Sequence, residues 1–276
     1  MTRITVDYGI DLGTTNSAIA VVRDSRVEVF KNGTSEVTPS VVNINKRGTI
    51  SVGQMAANAI GKTGDMDTKS EFKRLMGQDI QLKFDQAGVT KSPEELSAEV
   101  LMELRRVAKE RGEDARHAVI TVPAMFEVAQ NGATQRAAQL AGFEYTMLLQ
   151  EPIAAAIGYG FDQSVEDEFW LVYDLGGGTF DTSLLATREG DLTVVVFQLL
   201  KASKKGPVET AEELGQYLLE NCAPVESFNV VKGFVNLVIT NSFWLEAMAT
   251  YIDDVSFGIS TTRTGKKYMV EYASPN

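Results

Sequence analysis

Cysteine and histidine each occur once in the 276 residues, as Cys222 and His117. A single thiol closes no intrachain disulfide, and one thiol with one imidazole argues against a Cys/His zinc site or a Cys–His nucleophilic pair. His117, at the entrance of an expected strand, reads as a packing or surface residue. Positive charge is also short: 26 Lys and Arg stand against 37 Asp and Glu, a formal charge of -11. That balance argues against a general nucleic-acid or membrane-surface binder. No stretch approaches 18 uninterrupted apolar residues and no apolar leader follows the start, so a cytoplasmic protein with no membrane partner is expected. What is present is a hydrophobic content of 44%, ample for a packed core in one large domain or two smaller ones.

Two stretches echo each other. Asp174-Leu175-Gly176-Gly177-Gly178-Thr179-Phe180-Asp181 is entered from the apolar run Phe169-Trp170-Leu171-Val172-Tyr173; Asp11-Leu12-Gly13-Thr14-Thr15 follows a strand-like run over 4–10. Each is followed by a second β-rich run, 17–22 and 182–186, so each reads as a β-hairpin. Glycines at the tip let backbone N–H groups close around a phosphate, because Gly has no Cβ. Two such tips facing each other form a clamp. By themselves the aspartates serve equally as turn caps and the glycines as hairpin formers.

Between the tips the chain alternates strands and helices. Strands are expected over 26–30, 40–44, 49–52, 118–122 and 145–149, and short helices over 54–60 and 153–159. Ser92-Pro93-Glu94-Glu95 is a helix start with a capping box, followed by Leu96, Val100, Leu104 and Val107 at helical spacing and by Gly112 as a stop. Ala129, Ala133, Ala137 and Leu140 mark a small-residue helical face closed by Gly142. Lys73, within 70–76, taken alone reads as a solvated helix cation. Glu151 falls at a strand end, where open α/β sheets place their ligands. There is no GxxxxGK[ST] loop and no strand-linked GxGxxG, which excludes support for a P-loop or Rossmann site.

Five ordered blocks carry a family resemblance: Asp11-Leu12-Gly13-Thr14-Thr15-Asn16-Ser17, Lys73-Arg74-Leu75-Met76-Gly77, Thr121-Val122-Pro123-Ala124, Gln150-Glu151-Pro152-Ile153-Ala154-Ala155-Ala156, and the second tip. Together they resemble the ATPase domain of the heat-shock 70-kDa (DnaK-type) chaperones, over residues about 1–190. The resemblance implies an α/β, actin-like ATPase fold, first lobe plus the start of the second, with ATP or ADP and Mg²⁺ as ligands. It implies that Asp11 and Asp174 hold Mg²⁺ through its waters, which Mg²⁺ sheds reluctantly. Gly13, Thr14, Thr15, Gly176, Gly177, Gly178 and Thr179 would hold the phosphates. Lys73 would neutralise the γ-phosphate and orient the attacking water, with Glu151 and Asp181 positioning that water or the metal shell. Unfolded-protein or co-chaperone partners are implied through the same lobe. Asn131 stands where the family usually has Arg, which puts communication from ATP to a substrate domain in doubt.

From about Asp191 the pattern changes. Leu192 to Lys201, Lys204-Lys205-Gly206-Pro207, Thr210-Ala211-Glu212-Glu213-Leu214-Gly215, the run from Phe228 to Leu237 and Val270 to Asn276 resemble the N-terminal add-on domain of bacterial arginyl-tRNA synthetase. This tail reads as a small α/β module with a helix over 210–220, a β-like run over 228–239 and a second helix over 242–252. The resemblance implies tRNA contact by Phe234 and Asn236. Against this, seven basic residues face ten acidic ones from Asp191 onward, no electrostatic footprint for RNA. The expected domains are therefore 1–188, the chaperone-type lobe, and 189–276, the synthetase-like module, joined over 189–195 where both want a strand. Three functions stay open: an ATP-binding ATPase lobe, a tRNA-contacting module, and a chimeric chain with neither activity.

Overall fold

The computed structural model describes residues 6–24, 26–61, 67–159, 169–175, 180–188, 191–194, 204–231, 234–243, 245–246 and 269–272. It divides into two units, one of residues 1–161, 173–182 and 270–276, the other of residues 162–172 and 183–269.

In the first unit the opening hairpin forms as β1 (Tyr8–Leu12) and β2 (Asn16–Arg23), paired antiparallel from Tyr8↔Val21 to Leu12↔Ser17. Alternation decides its orientation: Ser17, Ile19 and Val21 point inward while the residues between them are more exposed. β3 (Arg26–Val29) and β4 (Thr38–Pro39) add to β2. A small sheet of β5 (Val42–Ile44), β6 (Ile50–Val52) and, after the short α1 (Gln54–Ala57), β7 (Thr68–Lys69) follows. Helix α1 is shorter than its expected span, because Asn58, a poor helix-interior residue, sits at its C-cap and Gly61 takes φ +73°. Next come a 3-10 turn at Phe72–Leu75 and the hairpin of β8 (Leu82–Phe84) and β9 (Val89–Lys91).

Helix α2 (Pro93–Glu110) starts where the sequence places its capping box: Ser92 Oγ accepts from the Glu95 N–H at 3.2 Å, and Glu95 Oε2 accepts from the Ser92 N–H at 2.7 Å. It stops at Gly112, whose φ of +82° lets its N–H reach the Lys109 carbonyl and that of Glu113 the Ala108 carbonyl. Its buried stripe, Leu96, Val100, Leu101, Leu104 and Val107, shares one core with Ile10, Leu12, Ile19 and Val21. β10 (His117–Val122) and, after α3 (Val128–Leu140), β11 (Tyr145–Gln150) lie parallel to β1, giving the order β11-β10-β1-β2-β3. Helix α4 (Glu151–Gly158) follows β11 without a loop. The buried face of α3 is Ala133, Thr134, Ala137 and Ala138; Ala129 and Leu140 are exposed. At ~100° per residue both sit roughly 100° from the middle of that face, so the small-residue stripe is correct in kind and shifted in position. Arg105 ties the helices together, donating to the Ala115 carbonyl at 3.0 Å and the Ala141 carbonyl at 2.8 Å over the Phe143 ring.

β12 (Phe169–Leu175) and β13 (Phe180–Arg188) each have residues in both units. In the second unit β13 pairs antiparallel with β14 (Asp191–Val194), the strand expected over the junction. The helix Pro207–Asn221 packs on a hairpin of β15 (Val225–Val231) and β16 (Phe234–Ile239). The expected single run over 228–239 is thus shared between two strands, β15 and β16, paired antiparallel from Val225↔Ile239 to Val231↔Phe234. Residues 241–243 and 245–246 are helical; the rest of the helix expected over 242–252 lies outside the described residues. β17 (Met269–Tyr272) falls in the closing segment.

Removing the cap by Ser92→Ala should lower unfolding free energy by about 1 kcal/mol. Leu101→Ala, at a fully buried α2 position, should cost roughly 2–5 kcal/mol. Both are read from denaturant midpoints at constant m-value.

Candidate functional site

Three parallel strands bring their carboxyl ends to one edge of the sheet, and Asp11 and Glu151 stand there. Asp11, exposed near the end of β1, accepts a hydrogen bond from Thr121 Oγ1 at 2.9 Å. The pairing Ile10↔Ile120 carries forward to set those two residues side by side on neighbouring strands. Glu151 is the first residue of α4, directly after Gln150 closes β11. Its carboxylate accepts from Lys73 Nζ at 2.7 Å, with side-chain exposures of 18% and 7%. A buried ammonium needs such a partner, since desolvating either charge alone costs several kcal/mol.

Lys73 is therefore not a solvated helix cation. It belongs to a 3-10 turn, not an α-helix, because Glu71 on one side has φ +56° and Gly77 on the other φ +77°. Phe72 and Met76, each 2% exposed, pin that turn into the core and carry Lys73 inward with it. The Lys73 ammonium also stands 5.7 Å from the centroid of the Phe126 ring.

The first glycine tip is closed by hydroxyls. Gly13 donates its N–H to Ser17 Oγ at 3.1 Å, Ser17 and Ser40 hydroxyls meet at 2.9 Å, and Ser40 Oγ donates to the Gly13 carbonyl at 2.8 Å. A Cβ on Gly13 would lie 2.0 Å from the Asn16 carbonyl oxygen, so glycine is required by close approach. Because its N–H is used internally, Gly13 shapes the tip. Thr14 and Thr15 are half-buried at that tip, and the Thr15 carbonyl accepts from the Ser40 N–H at 2.7 Å. Asp174 is half-buried near the end of β12. Gly176, Gly177, Gly178 and Thr179 lie outside the described residues, and Asp181 is placed only as the second residue of β13. Phe234 and Asn236 are residues of β16, opposite Val231 and Asn229.

Electrostatics gather these groups. Burial pushes the Glu151 carboxyl above its ordinary range; Lys73 opposes that rise, and the Asp11 and Asp174 carboxylates add to it. Among the described residues, Asp11 and Asp174 thus act on Glu151 in the opposite sense to the Lys73 ammonium. Among the described residues no three His, Cys, Asp or Glu side chains come together closely enough to ligate a metal directly. Thr121, Phe126, Ser17 and Ser40 were not singled out from sequence for the site. Ser17 and Thr121 had a signal, each lying within a block that carries the family resemblance.

The family described as Hsp70 protein matches residues 7–199. The chain belongs to the Hsp70 family. Similar proteins include the Chaperone protein DnaK of Thermosipho africanus (strain TCF52B), 46% identical over 190 residues, and that of Thermosipho melanesiensis, 45% identical over the same length. The Chaperone protein DnaK of Thermotoga petrophila is also 45% identical over 190 residues. Each alignment takes in 68% of this chain and 31% of the relative, so the chain spans about a third of the length of the relatives it matches. All the site residues at both tips, with Lys73 and Glu151, fall inside the Hsp70 stretch; Phe234 and Asn236 fall beyond it. No helix among the described residues is long and apolar enough to cross a membrane.

The raised Glu151 carboxyl gives a signed pH effect. Its protonated form favours the fold, so its contribution is full below the ordinary glutamate range and is lost as pH rises through the raised folded value. Lys73→Met removes the group that offsets this loss. The variant's deficit against the parent should be smallest in acid and grow to roughly 3 kcal/mol once Glu151 is ionised. Lys73→Met with Glu151→Leu should recover most of it. Urea unfolding from pH 4 to 8 checks both.

Proposed function

We propose that residues 1–188 are an ATP-binding, chaperone-type ATPase lobe that holds the nucleotide phosphates and Mg²⁺ between the tips at 11–15 and 174–181. The observation that carries this reading is the buried Lys73–Glu151 pair at the carboxyl ends of parallel strands, with Asp11 and Asp174 in the same field. A buried, oriented ammonium is a preorganised partner for phosphate charge that develops during transfer. Membership of the Hsp70 family supports it.

Asp11 and Asp174 would orient waters of the metal, Asp11 with one carboxylate oxygen fixed by Thr121. Mg²⁺, when bound, supplies charge neutralisation across the phosphate oxygens. Thr14 and Thr15, with Gly176, Gly177, Gly178 and Thr179, would supply N–H and hydroxyl donors to the phosphates, while Gly13 sets the tightness of the first tip. Lys73 would hold the terminal phosphoryl and an attacking water. Glu151 would hold Lys73 in place, and with Asp181 orient that water or the metal shell. Unfolded-protein or co-chaperone partners would engage the chain through this lobe, because the relatives that bear the name chaperone align there. Residues 189–276 would be a separate small α/β module, a reading supported by the helix Pro207–Asn221 on the β15–β16 hairpin.

Isothermal titration with ATP, with and without Mg²⁺, tests the assignment. Saturable heat that depends on Mg²⁺ is expected, and its absence in both conditions overturns it. Lys73→Ala should lower ATP turnover by roughly 10²–10³-fold; undiminished turnover would assign the activity to a contaminant.

A further inference from the structure

We propose that Phe126 is a positioning residue for Lys73, its ring face holding the ammonium on the line to Glu151. This inference rests on the ATPase reading above. The ammonium lies 5.7 Å from the ring centroid and 2.7 Å from Glu151 Oε1, within the range at which a ring quadrupole attracts a cation. Burial strengthens that attraction, and Lys73 is only 6% exposed. An ammonium held by one carboxylate oxygen alone swings about that contact; the ring supplies a second direction.

The ring is itself held. The Phe126 N–H donates to the Pro123 carbonyl at 3.0 Å, and Asn131 Nδ2 donates to the Phe126 carbonyl at 3.3 Å. The turn that carries Lys73 abuts the start of α3 next to Phe126: a Cβ on Gly77 would lie 3.1 Å from both the Ala129 carbonyl carbon and the Gln130 nitrogen. That contact, made through a glycine at φ +77°, fixes the separation of the two segments. Asn131 Oδ1 is buried and, among the described residues, has no hydrogen-bond partner. The amide is thus oriented toward Phe126 at the expense of its own acceptor.

The test uses the full chain with Phe126→Leu, which removes the ring, and Phe126→Tyr, which keeps it. In the parent, NMR should find the Lys73 ε-methylene protons displaced upfield by the ring current; this readout needs no nucleotide. The displacement should persist in Phe126→Tyr and vanish in Phe126→Leu. ATP turnover should then fall about tenfold in kcat for Phe126→Leu with KM changed less than about twofold, and stay within about twofold of the parent for Phe126→Tyr. An undisplaced Lys73 signal in the parent overturns the proposal, as does equal loss in both variants or no loss in either. If the parent binds no nucleotide while the NMR pattern holds, the ATPase reading fails and the Phe126–Lys73 contact stands.

Discussion

A lysine ammonium withdrawn from water fixes the geometry of its surroundings, because it stays charged only beside a counter-charge that has also given up solvent. Lys73 and Glu151 form such a pair across 78 residues of chain. The demands of that contact run outward through both partners. On one side, Phe72 and Met76 press the 3-10 turn into the core, and Gly77 lets it lie against α3. On the other, the parallel strand β11 passes straight into α4, so the register of β10 and β11 decides where Glu151 stands.

The same edge gathers unlike electrostatic environments. Asp11 is exposed and steadied by a hydroxyl, whereas Glu151 is buried and raised, and Asp174 adds negative potential from β12. Among the described residues the carboxylates acting on Glu151 outnumber the ammonium, a balance that favours polyvalent cations over a bare polyanion. On the proposed reading, affinity for a nucleotide at this edge would be coupled to the cation that accompanies it.

Much of this was legible where the determinants are local. Ser92-Pro93-Glu94-Glu95 specifies a helix start with three residue types that meet within one turn, and it forms as written. The Asp11-to-Thr15 tip declares itself by a glycine that no other residue can replace next to the Asn16 carbonyl. Lys73 was not legible from its neighbours, since its burial depends on a carboxylate distant in sequence. Nor was the Thr121–Asp11 bond, which spans 110 residues. The face of α3 was misplaced because alanine spacing alone does not say which side α2 will cover. The run over 228–239 belongs to two antiparallel strands, because an apolar β-like pattern alone does not say where one strand ends and its partner begins.

In the second unit the helix Pro207–Asn221 meets β15 through an absence. A Cβ on Gly215 would lie 2.2 Å from Phe228 Cδ2, so the aromatic ring rests on bare helix backbone. That arrangement works as a keyway: a rotation of the helix by one residue, ~100°, would present Leu214 or Gln216 to the ring and close the slot. Gly215 consequently selects a single rotational setting, and with it the set of acidic side chains that the helix turns toward solvent.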